Sequence, residues 1–172
     1  TTTRALTVLA IGEGERVHHT RGNLNNHIGL PLTLLARAPE ASVLVLELGM
    51  NAPGEIALLQ DICAPSVRLI TNVAPAHLEG LGSLEGVARA KAELFDGARP
   101  GDTLCVNADD PRVAALPLPA GTLVLRYGRS QGCDVRLLQA SPDPAAAGLK
   151  VRYTLEVAGH RVEGLLPTPG LY

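Results

Sequence analysis

The sequence predicts an α/β domain: a mostly parallel sheet flanked by helices, with a small antiparallel β appendage near the C-terminus. Residues 42–48 (SVLVLEL) form a continuous apolar run of strand length, the pattern of parallel strands buried on both faces, and residues 67–73 form another β-branched run. Segments of helical character lie before and after these runs, as crossover connections require. The last third changes period: Val151, Tyr153, Leu155 and Val157 alternate with Arg152, Thr154 and Glu156, and Ala158-Gly159 and Val162 follow. That is a hairpin with one wet face.

In chain order, residues 1–11 read as a helix that Gly12 and Gly14 close. Residues 18–20 read as a short strand. Residues 25–35 read as a helix that Pro31 should end or kink. A strand over 42–48, a helix over 54–62 and a strand over 67–73 come next. Ser83 offers an N-cap for a helix reaching about Phe95. Residues 103–106 and 122–125 are further strands, and residues 141–148, rich in Pro and Ala, read as a loop. No internal repeat is present.

The 172 residues suit about one domain with a sizeable core. Hydrophobic residues make up 46% and aromatic ones only 2%, so the core must be aliphatic. So few aromatics also leave no stacking platform for single-stranded nucleic acid. A net charge of -2 without a Lys/Arg block gives no polyanion-binding surface, so no nucleic-acid partner is expected. Cys63, Cys105 and Cys133 lack metal-ligand spacing and read as buried small hydrophobes. Their odd count and wide spacing suit a reducing cytoplasm. No signal peptide, lipidation motif or membrane-spanning run is visible. The chain opens at Thr1 and reads as internal to a longer protein. Nothing in it fixes an oligomeric state.

Ligands of open α/β sheets gather beyond the carboxyl ends of the strands. Glu47 ends one apolar run, and Asn72 and His77 stand at and just past the end of the other. A carboxylate and an imidazole so placed could share a divalent cation; equally, they could be a turn glutamate and a loop histidine. Lys91 shares a helical face with Leu84, Val87 and Leu94. An ammonium on an apolar stripe must snorkel, pair with a carboxylate or be chemically converted. Thr1-Thr2-Thr3-Arg4 opens a helix as the residues after a P-loop lysine do, which would make the Thr1 hydroxyl a Mg²⁺ ligand. Asn23, Asn25 and Asn26 cluster in TRGNLNNHIG, where Asn25 could equally be a helix N-cap. Asn107, Asp109 and Asp110 end a strand in NADDP, where Asp110 could simply cap the next helix. His18, His19, His27 and His160 have no ligand spacing and read as surface or packing residues.

GNLNNHIGLPLTLL, ELGMNAPGEI, NVAPAHLEGLGS, AKAELF and NADDP, in this order, resemble the F-type branch of the Mur ligases over nearly the whole chain. The GNLNN block is the most discriminating of them; the ELG, AHLE and AK-ELF blocks mark the superfamily more loosely. The resemblance implies a P-loop NTPase-like central ATP-binding domain spanning 1–172, with the P-loop glycines and the flanking domains outside this sequence. This piece alone is then expected to be inactive. It implies ATP-dependent joining of D-alanyl-D-alanine to UDP-N-acetylmuramoyl-tripeptide through an acyl phosphate. Thr1 and Thr2 match ATP contacts; Thr1, Glu47 and His77 match Mg²⁺ ligands at two sites. Lys91 matches a lysine carbamylated by CO₂ whose carbamate supports metal. Asn107 and Asp109 match the nucleotide side, and Asn23, Asn25 and Asn26 a loop near the substrate. Ala52 stands where the family often has His, and Leu171-Tyr172 is less typical after Pro169-Gly170. Rival readings are a ligase of the same superfamily acting on another carboxylate, a non-ligating P-loop ATPase switch or scaffold, and a catalytically dead binding module.

Overall fold

A short parallel strand pair and a mixed six-stranded sheet organise the chain. The computed structural model describes residues 1–12, 16–76, 78–143 and 150–166. The pair is β1 (Val17–His19) alongside β2 (Val43–Val45). The larger sheet runs β3 (Val67–Ile70), β4 (Thr103–Asn107), β5 (Leu123–Gly128), β6 (Val135–Pro142), β7 (Val151–Val157), β8 (His160–Leu166) in chain order. Pairing is parallel from β3 to β6 and antiparallel from β6 to β8, so the predicted architecture is present. The hairpin turns at Ala158 (φ 49°) and Gly159 (φ 79°), both left-handed, which matches the twist of the flanking strands.

Strand bounds differ from the sequence reading. β1 lies one residue earlier, β2 and β3 stop at Val45 and Ile70, and β5 runs on to Gly128. β6 was not predicted at all. A register shift between Leu137 and Gln139 breaks its period of two, which is why alternation does not reveal it. Ser141 and Pro142 belong to β6, not to a loop; the rest of that predicted loop lies largely outside the described residues.

The helices are α1 (Thr2–Ile11), α2 (Gly29–Leu35), α3 (Glu55–Cys63), α4 (Leu78–Leu81), α5 (Leu84–Asp96) and α6 (Pro111–Ala114). Gly12 closes α1 at φ 79°, as expected, whereas Gly14 lies outside the described residues. α2 starts later than residue 25 because Asn26 holds the chain in a turn: its Oδ1 accepts from Ile28 N at 3.2 Å and Gly29 N at 2.8 Å. Pro31 therefore falls in the first turn, where its missing N–H would have no intrahelical acceptor, and the helix continues through it. The predicted cap of α5 is present: Ser83 Oγ accepts from Gly86 N at 3.1 Å. α4 is too short to carry a helical period and was not predicted.

α5 packs across one face of the larger sheet. Phe95, Val87, Leu59, Leu104, Val106 and Val113 are fully buried there, so the core is aliphatic around one phenylalanine. Each such side chain contributes roughly 1.5–3 kcal/mol. The opposite face is open, with Val67 61% and Leu123 62% exposed, and in the 42–48 run, read as buried on both faces, Leu44 is 37% exposed. Hydrophobic runs report sequence, not which helices are at hand to cover each face.

Arg68, unremarked in the sequence, is 2% exposed and ties β3 to the ends of α3 and α5. Its Nη1 donates to Gln60 Oε1 at 2.6 Å and Leu94 O at 2.9 Å; Nη2 donates to Gly97 O and Asp102 Oδ2, both at 3.0 Å. The cysteines are half-buried and free, not fully buried as read. Burial pushes the Cys63 and Cys105 thiols above their ordinary range, which keeps them protonated and unreactive.

Candidate functional site

Glu47 lies just past β2, and its backbone is fixed by a residue the sequence reading passed over. Thr20 is fully buried; its N–H donates to Val45 O at 3.2 Å and its Oγ1 accepts from Glu47 N at 3.0 Å. The Glu47 carboxylate then faces the start of α1. Oε1 accepts from Thr1 Oγ1 at 3.0 Å and from Asn25 Nδ2 at 3.4 Å. Oε2 lies 3.1 Å from Arg4 Nη1, an ion-pair distance without hydrogen-bond alignment, so this buried oxygen is held by the charge of Arg4. Burial raises the Glu47 pKa, while the Thr1 hydroxyl and the charge of Arg4 lower it. Thr2 is exposed at the first position of α1.

The asparagine loop docks on this centre. Asn25 O accepts from Gly49 N at 2.8 Å, and Asn23 O accepts from Asn25 N at 2.8 Å. A Cβ at Gly49 would lie 2.8 Å from Asn25 Nδ2, so any larger residue there would push the Asn25 side chain off its place beside Glu47. Arg4 Nη1 also donates to Gly22 O at 3.1 Å. It is Asn26, not Asn25, that holds the entry to α2; Asn25 serves Glu47.

Lys91 sits half-buried on α5, as the stripe predicted, and its Nζ donates to Asn72 O, just past β3, at 2.5 Å. Burial draws its pKa down, with Asp110 partly opposing. His77 lies outside the described residues, as do Pro169-Gly170 and Leu171-Tyr172.

The NADDP segment staples three strand ends together. Asn107 Nδ2 donates to Thr71 O at 2.7 Å, and its Oδ1 accepts from Asp109 N at 3.0 Å. Asp109 accepts from Arg129 N at 2.7 Å and from Ser130 N and Oγ at 3.2 and 2.9 Å. Asp110 Oδ2 accepts from Val73 N at 2.7 Å, while Oδ1 takes Arg112 N and Val113 N at 2.9 and 3.2 Å. The capping alternative for Asp110 is therefore correct, and the same carboxylate also fixes the end of β3.

Among the described residues, no group of three or more His, Cys, Asp or Glu side chains is placed to hold a metal ion. The Thr1 hydroxyl and Glu47 carboxylate are nonetheless hard oxygen donors side by side, which fits a cation that keeps most of its waters. A cavity of about 660 Å³ opens elsewhere, beside Cys133, Asp134, Arg136 and Glu156 at the β5–β7 edge, and contains none of the predicted site residues.

A parallel α/β sheet with polar loops converging beyond its strand ends defines the class: a ligand-handling α/β domain. The family model of the Mur ligase middle domain matches residues 1–163, and the chain belongs to the Mur ligase family. The UDP-N-acetylmuramoyl-tripeptide–D-alanyl-D-alanine ligase of Escherichia coli (strain K12) is 36% identical over 176 aligned positions, covering 99% of this chain and 37% of that protein. The protein of the same name from Bacillus subtilis (strain 168) is 45% identical over 111 residues, 64% of this chain and 24% of its own length. Among solved structures, MurF from Acinetobacter baumannii superposes with a TM-score of 0.80 at 29% identity, covering 97% of this chain and 35% of that one. MurF ligase from Thermotoga maritima, solved in complex with ADP, gives a TM-score of 0.79 at 27% identity, covering 98% and 37%. This chain thus spans between about a quarter and just over a third of these relatives. The fold shared with them is the MurF-like mostly parallel sheet with antiparallel strands at its C-terminal end. Among the described residues no helix is long and apolar enough to cross a membrane.

Sequence reasoning missed Thr20, Arg4, Glu55 and Glu93. All four lay in quoted stretches, TRGNLNNHIG, Thr1-Thr2-Thr3-Arg4, ELGMNAPGEI and AKAELF, where neighbouring residues drew the attention.

Proposed function

We propose that this chain is the nucleotide-handling centre of a ligase that uses ATP to join D-alanyl-D-alanine to UDP-N-acetylmuramoyl-tripeptide in peptidoglycan precursor synthesis. The observation carrying this reading is the alignment of 99% of the chain with the Escherichia coli ligase of that name. The contact of Thr1 with Glu47 supports it, because it joins two expected metal ligands that lie 46 positions apart in the sequence. A cytoplasmic setting, where ATP and the nucleotide-linked precursor are found, belongs to the same reading.

Within it, Thr1 and Thr2 at the start of α1 meet the ATP phosphates, aided by the unpaired N–H groups and dipole of the helix N-terminus. Thr1, Glu47, His77 and Lys91 are the residues that would hold Mg²⁺ at two sites. Bound Mg²⁺ neutralises phosphate charge as it develops. Thr20 and Asn25 hold Glu47 in place, and Arg4 balances its charge. Asn107 and Asp109 shape the nucleotide side; Asn23, Asn25 and Asn26 shape the substrate side. An oxygen of the tripeptide's terminal carboxylate attacks the γ-phosphorus of ATP, and ADP leaves. The dipeptide amine then attacks the acyl carbon, loses a proton and expels phosphate.

Lys91 is assigned the carbamate role. Its neutral amine adds CO₂ and releases one proton, giving an anion beside the cation site while keeping an N–H for Asn72 O. Burial, by drawing the Lys91 pKa down, increases the neutral fraction that reaction needs.

The test is an isotope experiment on the full-length protein. With heavy oxygen in the terminal carboxylate of the tripeptide, the reading predicts one labelled oxygen in the released phosphate. Unlabelled phosphate would rule out the acyl phosphate and with it this mechanism.

A further inference from the structure

We propose that Glu93 is a positioning residue that locks the loop carrying Glu47 to the helix carrying Lys91. The proposal rests on the ligase reading above for its purpose, and on the following geometry for its substance. Glu93 Oε1 accepts from Gly54 N at 2.7 Å, and Oε2 accepts from Ala57 N at 3.0 Å. Both oxygens are thus spent on the first turn of α3, where N–H groups have no intrahelical acceptor and the helix dipole favours an anion. The residue at the N-cap position is Gly54, at φ 86°, which has no side chain to offer. A carboxylate 39 positions away does what a local serine or aspartate ordinarily does.

The distant cap has a consequence a local one would lack. Gly54 ends the loop that begins at Glu47, and that loop is pinned at five positions, Glu47, Gly49, Asn51, Ala52 and Gly54. Glu47 N is held by Thr20 Oγ1 and Gly49 N by Asn25 O. Asn51 N and Ala52 N both donate to Glu55 Oε2. Gly80 of α4 closes on it so tightly that a Cβ there would lie 2.0 Å from Asn51 O. Glu93 fixes the far end, and does so from α5. Lys91 and Glu93 are about 200° apart around that helix, so Lys91 reaches Asn72 while Glu93 reaches α3 on the other side. A slide or rotation of α5 against α3 would move Lys91 relative to Glu47, and the Glu93 carboxylate opposes both.

The test compares E93A and E93Q with V151A in the full-length protein. V151A trims a buried side chain of β7, among the antiparallel strands and away from α3 and α5, and serves as a control for stability alone. The first readout is Mn²⁺ binding in the presence of ADP, followed by the paramagnetic resonance of free Mn²⁺; the second is the Mg²⁺ dependence of phosphate release. E93A is expected to weaken Mn²⁺ binding about tenfold, the usual scale for groups that orient metal ligands. The half-saturating Mg²⁺ should rise in step. E93Q, which keeps one acceptor oxygen, should fall between E93A and wild type. V151A should lower the thermal midpoint with Mn²⁺ binding unchanged. Wild-type Mn²⁺ affinity in E93A, or in E93Q should E93A not fold, would overturn the proposal and leave Glu93 as a helix cap only. If wild type shows no acceptor-dependent phosphate release, the ligase reading fails, and the Mn²⁺ comparison still judges Glu93.

Discussion

The Thr1 hydroxyl donates to Glu47 Oε1 at 3.0 Å, joining the start of α1 to the end of β2 across 46 positions of sequence. Arg4, one turn along α1, lies 3.1 Å from the other carboxylate oxygen. Glu47 is therefore a carboxylate at the mouth of a helix, with its backbone held by a buried threonine. Glu47→Gln keeps the shape and removes the charge. It should weaken the Mg²⁺ dependence of phosphate release by roughly 10–100-fold, with little change in the thermal midpoint. Unchanged Mg²⁺ dependence would remove Glu47 from the metal site.

Lys91→Met separates folding from chemistry. The folded pKa of Lys91 is drawn below its unfolded value by burial, so the folded state gives up the proton more readily. Between the folded and unfolded values the unfolded chain binds more protons, and stability rises with pH. At neutral pH the charged amine is a burden, so Lys91→Met should unfold no more easily than wild type in urea. Turnover of the full-length protein should fall steeply, and added bicarbonate should not restore it. Full activity in the variant would refute the metal-support role.

Asp110→Ala should destabilise the domain by about 1–2 kcal/mol, the scale of a lost N-cap, with a further loss from freeing Val73 N. Burial raises the Asp110 pKa, but the N–H groups of Val73, Val113 and Arg112 more than offset it, leaving a depressed value. Its contribution is present above the unfolded aspartate range and is lost as pH falls through the folded value. Urea melts at neutral pH and at about pH 3 should show a wider gap between wild type and variant at neutral pH. A constant gap would contradict the carboxylate's role in the staple.

Tyr127, whose hydroxyl donates to Ile70 O at 3.2 Å, has its pKa pushed up to about 12 by burial, with Cys105 and Asp110 adding to it. The folded state holds this proton more tightly than the unfolded chain, so the contribution is complete below the unfolded tyrosine value. It is lost as pH rises through the folded one. An ultraviolet titration should show a tyrosine midpoint near 12 that is absent in Tyr127→Phe. No midpoint near 12 would contradict the burial.

The sheet class, the hairpin, the Ser83 cap and the apolar-stripe position of Lys91 were legible because each is a local pattern: a period, a turn dipeptide, a cap before a helix. Contacts that close over long stretches of chain were not. Thr20 is an ordinary threonine in the sequence, yet it is fully buried and holds Glu47 from 27 positions away. Arg68 looks like a surface residue within an apolar run, yet it is the hub between β3, α3 and α5. β6 was hidden by its register shift. The double-sided burial expected of residues 42–48 fails at Leu44, which is 37% exposed. Of the asparagine cluster, composition could show only that turns were wanted, not that Asn25 would reach Glu47 and Asn26 the mouth of α2.

The measurement closest to the central claim is phosphate release by the full-length protein given ATP, Mg²⁺ and UDP-N-acetylmuramoyl-tripeptide, with and without D-alanyl-D-alanine. The account predicts release that requires both the nucleotide-linked tripeptide and the dipeptide. Release indifferent to the dipeptide would mark an ATPase switch in place of a ligase and contradict the proposed function.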